Sequence, residues 1–177
     1  SHYPPSEEFL DACDELGLFV ESEAALCWVQ HGANPVWQQW DYLDPALLPL
    51  LARANDENVT AGRDHPSVLL WSLANESSWS PLWEEVLERV RALDPTRPVT
   101  FHDQCWGDYN NAHSNAPIAV YHYPGEDGAE KCDAEPRPVL FGEYAHVECY
   151  NRRELVTDPG IRDDWGRPLE RMVETPP

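Results

Sequence analysis

Apolar residues recur along the chain at two spacings, one helical and one of short continuous runs. Phe9, Leu10, Cys13 and Leu16 form a helical stripe. Ser6 stands before it as an N-cap, Glu7 and Glu8 suit its positive end, and Gly17 sits where a C-terminal glycine belongs. Leu18-Phe19-Val20 then reads as a short strand. Asp44-Pro45 opens a second helix that buries Leu47, Leu48 and Leu51 and ends near Asn58. From Pro66 to Leu73 the chain is apolar at its centre, as a parallel strand covered on both faces should be. Ser80-Pro81 starts a third helix, with Leu82, Val86, Val90 and Leu93 inward and Glu84, Glu85 and Glu88 towards water. Strands follow at Val99-Thr100-Phe101, Ile118 to Tyr121 and Pro138 to Phe141, and the end from Asn151 is polar.

Five short strands with helical patterns between several of them predict a parallel α/β sheet, with residues 1–177 as a single domain. No glycine-rich phosphate loop follows any strand, so nucleotide binding has no support. The composition is globular, and no apolar run approaches the roughly 18 residues a membrane span needs. Charge changes more. Twelve basic residues against 32 acidic ones give a formal charge of −20, which repels phosphate backbones and anionic headgroups. Nucleic acid and membrane surfaces are therefore excluded as expected partners, and neutral ligands favoured. Cys13, Cys27, Cys105, Cys132 and Cys149 form no CxxC pair, against a disulfide framework or zinc knuckle.

Chemistry gathers at the C-terminal ends of the strands. Glu21 and Glu23 follow the first, Asn75-Glu76 the second, His102-Asp103 the third, His122-Tyr123 the fourth, and Glu143-Tyr144-Ala145-His146 the last. In parallel barrels that face carries the active site. Glu76 and Glu143 each terminate an apolar strand, and a retaining glycosidase needs two such carboxyl groups about 5–5.5 Å apart. The one acting as acid must keep its proton near neutral pH, which burial favours. Taken singly, each of these glutamates reads as a solvated strand end. The histidines read as sugar contacts, buried side chains or a metal cluster, and Trp28, Trp37 and Trp40 as packing or sugar platforms.

The segment His65 to Ser77, with Asn75-Glu76 at its end, resembles the acid/base signature of glycoside hydrolase family 2. Phe141-Gly142-Glu143-Tyr144-Ala145-His146 is similar to that family's nucleophile segment, and Ser1-His2-Tyr3-Pro4-Pro5 to its segment after barrel strand two. The resemblance implies a partial (β/α)8 TIM barrel holding about strands three to seven. Strands one, eight and most of two, and the family's β-sandwich domains, would be missing partners. It implies a retaining O-glycosyl hydrolase without a cofactor, with Glu76 as acid/base and Glu143 as nucleophile. Asn75 would bind the sugar 2-hydroxyl, His2 and His146 would contact substrate, Tyr121 or Tyr123 would steady the nucleophile, and Glu23 would support the site.

Departures are also visible. Cys27-Trp28-Val29 stands where the family's β-galactosidases carry a Glu-x-His magnesium pair, so no metal is carried over. Val147 to Asn151 departs from the galactosidase continuation, and the Asn-x-Lys motif of the glucuronidases is not evident. Galactoside is favoured on Glu-Tyr-Ala-His. The alternatives are a glucuronidase-type enzyme and a non-catalytic carbohydrate-binding protein on a degenerate barrel.

Overall fold

The computed structural model describes residues 2–29, 41, 43–103, 114–122, 130 and 132–143. All of these belong to the compact unit Ser1–Tyr144; the second unit, Ala145–Pro177, lies outside the described residues.

Helix α1 (Glu7–Leu16) is capped as its sequence dictates. Ser6 Oγ accepts from the Phe9 amide, and Gly17 takes the left-handed conformation that closes a helix. Strand β1 spans Val20–Glu23, further along than the apolar run, and Leu18 and Phe19 are exposed. A 3-10 turn at Pro45–Leu47, capped by the Asp44 carboxylate, leads into α2 (Leu48–Gly62), which passes the expected end at Asn58. Strand β2 is Val68–Ser72, α3 is Pro81–Leu93 and β3 is Val99–Thr100. Strands β4 (Ala119–His122) and β5 (Val139–Glu143) complete the described elements.

Every described ladder is parallel: β1-β2-β3 form one sheet and β4-β5 another. With α2 joining β1 to β2 and α3 joining β2 to β3, the first sheet is a pair of β-α-β crossovers.

The strands differ on their two faces. Trp71 points towards the helices, where a Cβ on Gly62 would lie 3.1 Å from its ring. Its indole donates to Asp94 Oδ2 at 2.9 Å. Burial pushes the Asp94 carboxyl up, but bonds from the Thr96 hydroxyl, from Arg97 at 2.6 Å and from the Thr96 amide outweigh it and hold the group well below the usual range. Arg97 goes on to donate to the carbonyls of Val68 and His65, clamping the turn before β3 to the start of β2. Trp83 of α3 packs on Phe101 at a ring separation of 5.0 Å, and Trp79 meets the same ring edge-on at 4.9 Å.

Helix α2 docks on β1 through buried amides. Asn58 accepts from Ser22 Oγ at 2.6 Å and donates to the Ser22 carbonyl, and Asn55 donates to the carbonyls of Leu51 and Leu73. Because successive strand residues alternate, fixing Ser22 towards α2 turns Glu21 and Glu23 to the opposite, inner face.

Candidate active site

The inner face is polar and internally bonded. Thr100 Oγ1 donates to Glu21 Oε1 at 2.6 Å, and Ser72 Oγ donates to Glu23 Oε2 at 2.7 Å. His102, just past β3, places Nε2 3.2 Å from Glu21 Oε1 and Nδ1 3.8 Å from Glu23 Oε2. Burial alone would raise both carboxyls. It prevails at Glu23, whereas at Glu21 the nearer imidazole and the Thr100 hydroxyl overcome it and lower the carboxyl. Burial opposes charge on His102 too, but the Glu21 contact outweighs it and raises the imidazole.

From His102 the network runs to the two candidate carboxylates. His102 Nδ1 lies 2.8 Å from His122 Nε2, with the rings nearly perpendicular. His122 Nδ1 in turn lies 3.3 Å from Glu76 Oε1 and 3.8 Å from Glu143 Oε1. Ligand atoms of Glu76, His122 and Glu143 all fall within 4.8 Å of one another. Glu76 is almost wholly buried, and the Glu143 side chain is 24% exposed. Gly142 is what allows β5 so close, since a Cβ there would come within 2.6 Å of the His102 ring and 2.9 Å of Val120.

Glu76 is held by a second element. Trp28 Nε1 donates to its Oε2 at 2.7 Å. Both residues have positive φ, 57° for Trp28 and 41° for Glu76, a conformation that favours glycine. The segments carrying them are tied by parallel bridging of Cys27 to Asn75, with the Trp28 amide donating to the Asn75 carbonyl at 3.0 Å. Ser77 Oγ accepts from the Val29 amide and donates to the Asn75 carbonyl.

Of the site residues expected from sequence, the structure brings Glu76, Glu143, Glu23 and Asn75 to one end of the strands. Asn75 is buried, with Nδ2 3.5 Å from Cys27 Sγ. His2 stands at the periphery, partly exposed, 3.9 Å from Glu23 Oε1. Tyr121 is directed elsewhere: its hydroxyl donates to Glu135 Oε2 at 3.2 Å, and burial together with that carboxylate pushes it up to about 12. Glu135 is itself paired with Arg137 at 2.8 Å. Tyr123 and His146 lie outside the described residues, as do Trp37 and Trp40.

Sequence reasoning grouped Glu21, His102 and His122 at strand ends without assigning them roles, and it left Trp28 between packing and sugar platform. Their common signal was a polar residue closing each strand. Cys27, Trp28 and Val29 offer a thiol, an indole and an alkyl group, so a hard cation such as magnesium finds no oxygen side chain there. The hydrogen bond of His122 to Glu76 and its 3.8 Å ionic contact with Glu143 account for the spacing of the three, and none is assigned as a metal ligand.

Comparison with known proteins adds to this geometry. The family described as "Glycosyl hydrolases family 2, TIM barrel domain" matches residues 1–155. The β-galactosidase of Oenococcus oeni is 30% identical over 158 residues, covering 82% of this chain and 15% of that protein. The β-galactosidase of Aeromonas hydrophila is 32% identical over 162 residues, covering 83% and 15%. The chain thus spans about 15% of the length of these curated relatives. Among solved structures, Faecalibacterium prausnitzii β-glucuronidase aligns with a TM-score of 0.64 at 25% identity, covering 84% of this chain and 30% of that one. A β-galacturonidase from Eisenbergiella tayi aligns at 0.66 and 24% identity, covering 85% and 29%, a likeness of fold.

Proposed function

The chain belongs to glycoside hydrolase family 2, and from that membership we propose that it carries the catalytic pair of a retaining β-glycosidase. Glu76 is the acid/base and Glu143 the nucleophile. The observation that supports this reading most is the approach of carboxylate oxygens of Glu76 and Glu143 to within 4.8 Å at the ends of two parallel strands. That spacing suits direct attack on the sugar and leaves little room for the intervening water that an inverting enzyme needs.

In the first half-reaction Glu76 gives its proton to the glycosidic oxygen. Glu143 forms a bond to the anomeric carbon as the bond to the departing alcohol breaks. In the second, water attacks the same carbon, Glu76 takes its proton, and Glu143 leaves as a carboxylate. The burial of Glu76 suits the group that must hold a proton. In this reading Asn75 binds the sugar 2-hydroxyl, His2 contacts substrate at the edge of the site, and Glu23 supports it.

A neutral sugar is the preferred substrate. Four carboxyl groups, those of Glu21, Glu23, Glu76 and Glu143, crowd the ends of the strands. A uronate carboxylate would meet repulsion there. Among neutral sugars the β-galactoside is favoured on Glu143-Tyr144-Ala145-His146. Replacing Glu143 by glycine in the full protein is expected to abolish turnover of an aryl β-galactoside, and normal turnover in that variant would overturn the nucleophile assignment.

A further inference from the structure

We propose that His122 and His102 form a proton relay running from Glu76 to Glu21, and that this relay keeps Glu76 loaded as the acid. It deepens the catalytic reading above and rests on it. Four groups in line make three contacts: Glu21 Oε1 to His102 Nε2 at 3.2 Å, His102 Nδ1 to His122 Nε2 at 2.8 Å, and His122 Nδ1 to Glu76 Oε1 at 3.3 Å. Each contact needs one proton between its two heavy atoms. Glu21, held as a carboxylate, can only accept, so His102 carries a proton on Nε2.

Three protons satisfy the line in three arrangements. In one, both imidazoles are neutral, each donating towards Glu21, and Glu76 is protonated and donates to His122. In a second, the Glu76 proton has moved to His122 Nδ1, leaving an imidazolium beside Glu76 and Glu143. In a third, the Nε2 proton of His122 has also moved on to His102, leaving the imidazolium against Glu21 and Glu23. The number of protons is the same. With only two protons one contact must face two lone pairs, and both histidines are buried, with no bulk water to repair it. The line therefore resists losing its third proton as pH rises. Once that proton has gone to the departing alcohol, the bare contact between His122 and Glu76 strengthens the demand for a proton from the attacking water.

Among the described residues, other polar groups face the line from the neighbouring elements. They are Glu143 on β5, Glu23 with its Ser72 partner and the more distant His2, Thr100 beside Glu21, and Trp28 on the far oxygen of Glu76. Cys27 lies close to Asn75, its thiol raised chiefly by burial. A simple charge account would assign the effect of the histidines to the carboxylates they face.

Two substitutions test the relay, read as pH profiles of kcat/KM in the full protein, and the first separates it from the charge account. In His102→Asn the side-chain amide can donate to His122 Nε2, so the His122 proton moves to Nδ1 and satisfies an ionised Glu76. The relay predicts that the basic limb falls by about one pH unit. It also predicts roughly a tenfold loss at neutral pH for an alkyl β-glycoside, with little loss for the 2,4-dinitrophenyl glycoside, whose departure needs no proton. The charge account predicts the reverse, because Glu21 and Glu23 lose their imidazole and hold the Glu76 proton harder. Glu21→Gln keeps the side chain's size and lets an amide donate into the line, so its basic limb must fall as well. A basic limb unmoved or raised in His102→Asn, or unmoved in Glu21→Gln, overturns the relay, and so does an equal loss for both leaving groups. Normal turnover by Glu143→Gly would instead remove the catalytic reading on which the relay stands.

Discussion

Trp28 and Glu76 are, among the described residues, the two non-glycine positions with positive φ, and they are bonded to each other. Each such conformation costs on the order of 1–3 kcal/mol, so the surrounding bridge and serine bonds must fix both. Trp28→Phe keeps an aromatic ring but removes the indole N–H that donates to Glu76, together with part of the indole's volume. We expect kcat/KM to fall roughly ten- to a hundredfold through misplacement of the acid. Thermal unfolding should change little, and a variant with normal kcat/KM would deny Trp28 its part in holding Glu76. At this scale the sequence displayed the two glutamates because each closes a recognisable motif. It did not display Trp28, whose role depends on a backbone conformation that no local residue pattern announces.

The helices were the most legible elements. The cap of α1 follows from residue type, and on α3 Leu82, Val86 and Val90 are buried and Glu84, Glu85 and Glu88 exposed as expected, whereas Leu93, at the last turn, is exposed. The strands were less so, because their register depends on partners far away in sequence. Strand β1 begins at Val20, not Leu18, since its ladder partner is β2 and its polar inner residues are satisfied by Ser72, Thr100 and His102. The same distant bonding explains why α2 continues past Asn58, whose amide is committed to Ser22. Leu69 is exposed in the run expected to be covered on both faces. At the element scale Gly142 sets the approach of β5 to β3 and β4. Gly142→Ala should push His102 and Val120 aside and cost kcat/KM at least tenfold, a larger loss than its effect on unfolding suggests. Wild-type kcat/KM in that variant would show that the β5 approach does not set the site.

For the molecule as a whole, order along the chain did much of the work. The strand ends that sequence grouped together meet at one site, joined there by a buried line of imidazoles and carboxylates. Family membership is consistent with that plan, and the β-α-β crossovers deliver it physically. The strands the chain would lack from a full barrel were an expectation from resemblance alone. The acidic character seen in the composition persists at the site itself, and there it bears on which sugar can enter. The direct test of the central claim is covalent. Incubating the full protein with a 2-deoxy-2-fluoro β-galactoside and mapping the label by peptide mass spectrometry should place the sugar on Glu143. A folded protein that takes no label from this or any other 2-fluoro glycoside, or takes it on another residue, would contradict the account.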